Sequence, residues 1–482
     1  MENIEATAAE NPKKKLNFGM EMEDNQGGLP DDIIGKILSY VPPKPLTRFK
    51  VVSKSFLNLI NDTTFQLLHI KHNSSTISNY ISLAALISPH EEEEEDEEAA
   101  AGYALLTLQL PASSASSGIS ISKCRIPLPF PSSSATPFDI IASCNGLLCI
   151  SSFADSLHLI NPTSSSFHPI PLLPSPPHHP RWIHFGFGFD QINRDYKIVR
   201  VVQLHHFSQD HPREVHVFSF LTNSWIQATH FPHFLSHPIS NAKLLRNSLH
   251  WIATTTHPLV FDMTGLLWRG SLDDFVYDYV LLAFDLHFHT FTVLPLPDYH
   301  LGDAAQELAV PRLCVGVFGE SLFLQVEHGP KFGRCVDIWV MSEYGVKSSW
   351  TKLLSFPYME VRPELLPIKT LALSKQGHQV LMQQGKDCFW VQVGSGQVTD
   401  VIIEGGLPFV FTLIGGHRCG FGAEVFVESL VCLTSGVEGK GIKQAGDADG
   451  KDGGSEAGQV KTKVKVQKKR GGDLLSSRFK LI

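Results

Sequence analysis

Residues 218–225 read FSFLTNSW: an apolar strand end, a polar turn, then Trp225 opening a return strand. Four other segments share this build: LINPTSSSF (159–167), AFDLHFHTF (283–291), WVMSEYGVKSSW (339–350) and WVQVGSGQV (390–398). Their return-strand markers, Phe167, Trp225, Phe291, Trp350 and Val398, are separated by 58, 66, 59 and 48 residues. That spacing is close to the period of roughly 50 residues expected of four-stranded propeller blades. From Tyr103 to about Leu433 the chain is a succession of short β-branched and aromatic segments broken by Gly, Pro, Asn and Ser, which predicts an all-β domain. Its 331 residues divided by about 55 per blade give about six blades. Unrelated hairpins in two stacked sandwiches are the competing architecture.

Outward from this region the pattern changes. Residues 29–73 carry two apolar stripes at helical spacing, Ile33, Ile34, Ile37, Leu38 and Val41, then Leu46, Phe49, Val52, Phe56, Leu59 and Ile60, with Pro42, Pro43 and Pro45 between them. Pro30 suits the first turn of a helix, and Asp31 and Asp32 complement its dipole. Residues 1–28 are polar and read as a disordered leader. Residues 74–102, with the acidic run EEEEEDEE at 91–98, read as a linker; 103–435 form the β-domain, and 436–482 a flexible basic tail.

Forty Lys and Arg against 48 Asp and Glu give −8, and the acidic run supplies eight negatives, so the remainder sums to zero. No global basic field is present to hold nucleic acid. The eight cysteines show no CxxC pair and no zinc-like spacing, so they read as reduced thiols. No apolar stretch approaches the length needed to span a bilayer, and Glu2, Glu5 and Glu10 stand where a secretory segment would be apolar. The expectation is an intracellular protein, cytoplasmic, nuclear or both, without a membrane or nucleic-acid partner.

Signatures of catalysis are missing from the sequence: no GxSxG, no GxxxxGK[ST] and no HExxH. Gly186-Phe187-Gly188-Phe189-Asp190 alternates aromatics at period two and opens no helix, so it reads as a strand under close backbone approach rather than a dinucleotide site. Twelve of the 23 histidines fall between His178 and His257. Asp285, His287 and His289 share strand spacing, but they fall in a repeat turn and read as solvated loop groups. No catalytic residue, cofactor or metal is expected. The helical segment is too small to bury both of its stripes alone, so its apolar surface must meet either a partner or the β-domain.

The residues of this segment, LPDDIIGKILSYVPPKPLTRFKVVSKSFLNLINDTTFQLLHIKHN (29–73), resemble an F-box. The β-region resembles the F-box-associated domain of plant-type F-box proteins, a kelch-like β-propeller: SCNGLLC at 143–149, NPT at 161–163, GFGFDQINRDYKIVRV at 186–201, IWVMSEYGVKSSWTK at 338–352 and the closing ESL at 428–430 follow the family order. One departure is at 50–56, KVVSKSF, where Ser53 is more polar than the family pattern. The resemblance implies a non-catalytic substrate-recognition subunit of an SCF-type ubiquitin ligase. A Skp-type adaptor, and through it a cullin, would engage Leu29, Pro30, Ile33, Ile34, Ile37, Leu38, Pro42, Leu46, Phe49, Val52 and Phe56. A target protein would be held on propeller loops such as 175–180 and 298–306. A propeller enzyme or sugar binder, and a scaffold that does not direct ubiquitination, are the alternatives.

The tail offers many Gly and charges and few apolar anchors, too few to offset its ordering entropy. A chain ending at Ser435 is therefore expected to keep the full-length thermal midpoint. A fall of several degrees would show that Leu474, Leu475, Phe479, Leu481 and Ile482 pack back on the β-domain.

Overall fold

The computed structural model of the chain describes residues 29–76, 80–87, 103–113, 122–130, 138–152, 156–173, 181–204, 213–235, 241–255, 279–299, 311–328, 334–358, 368–403, 406–408, 410–414 and 417–431. The expected leader 1–28, the acidic run 91–98, loop tip 175–180, most of 298–306 and the tail 436–482 lie outside these residues.

Four helices come first, α1 (Asp31–Leu38), α2 (Pro43–Phe49), α3 (Lys54–Asn61) and α4 (Thr63–Thr76). Their boundaries follow from local chemistry. Pro30 is the N-cap of α1, its carbonyl accepting the N–H groups of Ile33 and Ile34, with Asp31 and Asp32 in the first turn. Ser53 caps α3 by accepting the N–H of Phe56 at 3.1 Å, and Asp62 Oδ1 accepts that of Phe65 at 2.8 Å. The polar Ser53 that departs from the family pattern thus has a helix-starting role.

Six antiparallel blades follow, five of four strands and one, blade 4, of five. Five are continuous in sequence: blade 2 runs from Phe138–Cys144 to Ser166–Ile170, blade 3 from Arg181–Asp190 to Ser224–His230, blade 4 from Phe234–Leu235 to Phe291–Leu294, blade 5 from Arg312–Phe318 to Trp350–Tyr358 and blade 6 from Ile368–Leu373 to Val398–Val401. In blade 4 the innermost position is shared by Phe234–Leu235 and Lys243–Leu245, both pairing with Ser248–Thr254. Blade 1 is built from both ends of the domain. Its order is Glu424–Phe426, Tyr80–Ile87, Ala104–Pro111, Ser122–Pro127, so the innermost strand comes from the C-terminal side and the other three from the N-terminal side. This corrects the domain boundary read from sequence. Tyr80–Ile87, assigned to the linker, is a full blade strand, paired over its whole length with Ala104–Pro111 and also with Glu424–Phe426. A lone apolar run beside an acidic tract carries no signal of a partner about 340 residues away.

The packing explains why the strands read as nearly continuous apolar runs. Each blade buries both faces, one against each neighbour, so alternate residues of a strand enter different cores. In Tyr80–Ile87, Leu83 and Ala85 join a core with Leu381 and Trp390 of blade 6, while Ala84 and Leu86 join one with Phe138 and Ile150 of blade 2. Six such interblade cores complete the ring. Gly186 and Gly188 are the close-approach positions expected of the GFGFD strand: a Cβ on either would lie 2.7 Å from Leu249 or from Leu244 in the adjacent blade. The indoles of Trp225 and Trp350 each donate to a proline carbonyl that follows the previous blade, Pro171 at 2.8 Å and Pro295 at 2.9 Å.

The ring-closing segment runs on over the Asn145-Gly146 turn of blade 2. Gly146 sits at φ +81°, and a Cβ there would lie 2.3 Å from Ser429 Oγ and 2.5 Å from the Val427 carbonyl. Gly319 occupies the equivalent turn of blade 5 at φ +58° with open space around it. Gly146→Ala is expected to lower stability to denaturant by about 2–4 kcal/mol, from backbone strain plus overpacking, and Gly319→Ala by about 1 kcal/mol, from strain alone. Equal losses would show that the closing segment does not bear on the turn.

Candidate functional site

Two surfaces combine exposure with chemistry: the outer face of the helical module and the channel enclosed by the innermost strands.

The structure divides the eleven apolar positions of the module into two sets. Leu38 and Leu46 are buried with Ile60 and Phe65, and Ile34 and Phe56 pack against that core. These four hold the helices together and do not form an outer face, which corrects their reading as partner-facing. Leu29 (60% exposed), Pro30, Ile33, Ile37 (52%), Pro42, Phe49 and Val52 (64%) remain open, joined by Tyr40, Val51 and Leu57, which the stripe reading left out. Single exposed apolar side chains are ordinary; this many on a 48-residue module mark a face that another surface covers.

The inner side of the module is already occupied by the β-domain. Leu430 completes the helical core, and Leu67 and Ile70 of α4 pack into the core shared by blades 2 and 3. Glu428 accepts from Gln109 at 3.0 Å and pairs with Lys44 of α2 at 3.2 Å. Asn161 donates to the carbonyls of Ser429 and Val431 at 3.1 and 2.8 Å, and Thr163 Oγ1 accepts the Ser429 N–H at 3.2 Å. The Glu428-Ser429-Leu430 motif is therefore the joint between the two parts, a role that nothing in its own sequence announces. His69 is buried in α4 with its Nε2 2.8 Å from the Val41 carbonyl; burial lowers its pKa, so it is a neutral packing residue.

The channel holds a cavity of about 1150 Å³. Pro42, Pro43 and Asn73 of the helical module line one end, together with the Gly146 and Gly319 turns. The other end carries charge: Asp139, Lys243, Arg312, Lys369 and Glu424, with Asn241. Lys243 and Lys369 both donate to Glu424, the latter at 3.0 Å. Burial pushes the Glu424 carboxyl up, but the two ammonium groups outweigh it and hold it down at about 2. Asp139, 3.3 Å from the Asn241 amide, has no such clamp. Burial pushes it up to about 7 against the pull of Lys369. Gln325 then ties blade 5 to blade 6, accepting from Thr370 Oγ1 at 2.7 Å and donating to the Ile368 carbonyl at 2.7 Å. Charges spread over five different blades cannot be seen as a cluster in the sequence.

Asp285, His287 and His289 form no ligand group: among the described residues no cluster of three candidate metal ligands includes them. His287 and Phe288 donate their backbone N–H groups to Asp285 Oδ1 at 2.7 and 2.8 Å, an ordinary turn contact. His289 sits at φ +55° stacked on Phe284. Of the 178–257 group, His184 and His250 are buried in separate blades; His178, His179, His205, His206, His211, His237 and His257 lie outside the described residues.

A helical module with an open apolar face, fixed to a closed six-bladed propeller, has the build of a two-surface interaction protein. Residues 108–405 match the F-box associated beta propeller domain and residues 28–67 the F-box domain, and the chain belongs to the F-box proteins that carry this propeller. F-box protein CPR1 of Arabidopsis thaliana is 24% identical over 475 residues, covering 94% of this chain and 99% of that protein. The same plant's F-box/kelch-repeat protein At3g23880 is 24% identical over 351 residues, 70% of this chain and 82% of its own length.

Asp139 yields a pH test. Its folded pKa lies above the unfolded value near 3.8, so the folded state binds the extra proton between the two, and its contribution to stability is lost as pH rises from about 4 to about 7. Asp139→Asn keeps the amide-side hydrogen bond without the charge. It is expected to stabilise the protein at pH 8 by about 1–3 kcal/mol and to leave it unchanged at pH 4; an equal effect at both would place the carboxylate in an unperturbed setting. Glu424 has the opposite sign, and its contribution is lost only as pH falls toward 2.

Proposed function

We propose that the protein is the substrate receptor of an SCF-type ubiquitin ligase, a non-catalytic subunit that binds a Skp-type adaptor through its F-box and, through the adaptor, a cullin. The observation that carries this reading is the division of labour within the module. Leu38, Leu46, Ile60, Phe65 and Leu430 fill its core, so Leu29, Ile33, Ile37, Val51 and Val52 are left over as an apolar face that folding does not need. The target protein is held on the propeller. The chemical contribution is proximity: a target and a ubiquitin-charged enzyme on one assembly raise the effective concentration of target lysines. Such a subunit works in the cytoplasm, the nucleus or both.

The joint at 428–430 supports the same reading. A receptor that positions lysines gains from a fixed angle between its two binding surfaces, and here the closing strand of the propeller runs directly into the helical core.

Ile33→Asp with Ile37→Asp places two charges on the open face without touching the core. Adaptor binding in pull-down and titration is expected to weaken by at least tenfold, with thermal midpoint unchanged, since a docked partner would have to desolvate two unpaired carboxylates. Leu29→Ala with Pro30→Ala should act in the same direction. Wild-type adaptor binding by both double variants would show that this face is not the docking surface. Turnover of a bound target that stays unchanged when the adaptor is lost would remove the ligase reading.

A further inference from the structure

Blade 5 brings together three side chains that the sequence separates. His328 ends the strand Ser321–His328, and its register partner on Arg334–Met341 is Cys335. Asp337 lies two residues beyond Cys335 and so on the same face of the strand. One ligand atom from each of the three, a ring nitrogen, a sulfur and a carboxylate oxygen, lies within 4.8 Å of the others, and among the described residues this is the one such group. We propose that His328, Cys335 and Asp337 form a zinc site, a function that the substrate-receptor reading neither requires nor explains.

The donor set decides the metal class. Thiolate, imidazole and carboxylate together suit zinc, which takes N, S and O ligands in a tetrahedron and completes three protein ligands with water. His328 Nε2 stands 3.2 Å from Asp337 Oδ2, yet it is closed off from solvent with no hydrogen-bond partner. That nitrogen therefore faces the Asp337 carboxylate with no hydrogen bond that a metal would have to displace. Zinc bond lengths of about 2.0–2.3 Å set the donor separations of a tetrahedral site at roughly 3.2–3.8 Å; His328 Nε2 and Asp337 Oδ2 already stand at 3.2 Å, and Cys335 Sγ, within 4.8 Å, needs to close by about 1 Å, within reach of side-chain rotation. The supporting shell is also present: Ser355 Oγ, on the next strand opposite Asp337, donates to Asp337 Oδ1 at 2.7 Å, which turns the other oxygen toward the site, and lies 3.7 Å from Cys335 Sγ.

Lys352 holds the place of the cation. Its Nζ is 2.7 Å from Asp337 Oδ2, and it also lies over the Trp339 ring, 5.1 Å from the centroid. Charge balances on exchange. Before binding, Asp337 and Lys352 are neutral together. After it, Zn²⁺ is balanced by the Asp337 carboxylate and the Cys335 thiolate. One proton leaves the thiol, and the half-exposed Lys352 ammonium is released to solvent or to the indole face. No electron moves. The metal staples two strands of blade 5.

The experiment uses the full-length, untagged protein, reduced, stripped with chelator and titrated with Co²⁺ as a spectroscopic stand-in for Zn²⁺. The expected result is one equivalent showing tetrahedral ligand-field bands and a thiolate-to-cobalt charge-transfer band, both displaced by zinc. Cys335→Ser is expected to abolish the charge-transfer band and His328→Gln to weaken binding at least tenfold, with thermal midpoints of the stripped proteins unchanged. Lys352→Met is expected to tighten binding by up to about fivefold, the release of one exposed ion pair. No band in the wild type, or a band that survives Cys335→Ser, would overturn the site.

Discussion

The closure of the ring is the constraint on which the rest depends. Glu424–Phe426 must pair with Tyr80–Ile87, and until it does blade 1 lacks its innermost strand and two of the six interblade cores lack Phe426 or Ala423. An open propeller would also present an unpaired strand edge, which soluble proteins avoid because it templates association with other chains. The same segment then supplies Glu428, Ser429 and Leu430 to the joint with the helices. One stretch of about eight residues thus closes the ring, caps the Gly146 turn and completes the F-box core.

Charge in the channel follows from this closure as well. Glu424 is part of the closing strand, and it comes between Lys243 and Lys369, which line the same channel. Removing it leaves two like charges without the carboxylate that joins them, which is unfavourable. Glu424 therefore makes the closing strand specific: an apolar residue in its place would pair with the same backbone but would strand two lysines.

Much of the fold was legible because the hairpins formed by the two outer strands of five blades carry their signal locally. Phe167, Trp225, Phe291, Trp350 and Val398 each lie in the outermost strand of a blade, after a turn whose left-handed residue, such as Ser165, Asn223 or His289, is written into the polar segment. Blade 1 was not legible, since its strands come from the two ends of the domain and their pairing is a long-range fact. The F-box was legible as two stripes, but a stripe does not say which residues face inward. Leu38 and Leu29 are equally apolar, and only the tertiary packing against Leu46, Ile60, Phe65 and Leu430 makes one core and leaves the other at the surface. His328, Cys335 and Asp337 were hidden for a related reason: their spacing matches no linear metal motif, and cross-strand register alone brings them together.

The position of Leu430 sets an order of assembly. The helical module is the first part of the described chain to be synthesised, and the residue that plugs its core is among the last. A chain interrupted anywhere in the propeller therefore carries an F-box whose interior, Leu38, Leu46, Ile60 and Phe65, lacks its lid. Unfinished chains expose apolar surface of the kind that chaperones and proteases act on. The architecture thereby ties the integrity of the helical end to the completion of the propeller, so that a chain lacking the closing segment also lacks part of its F-box core.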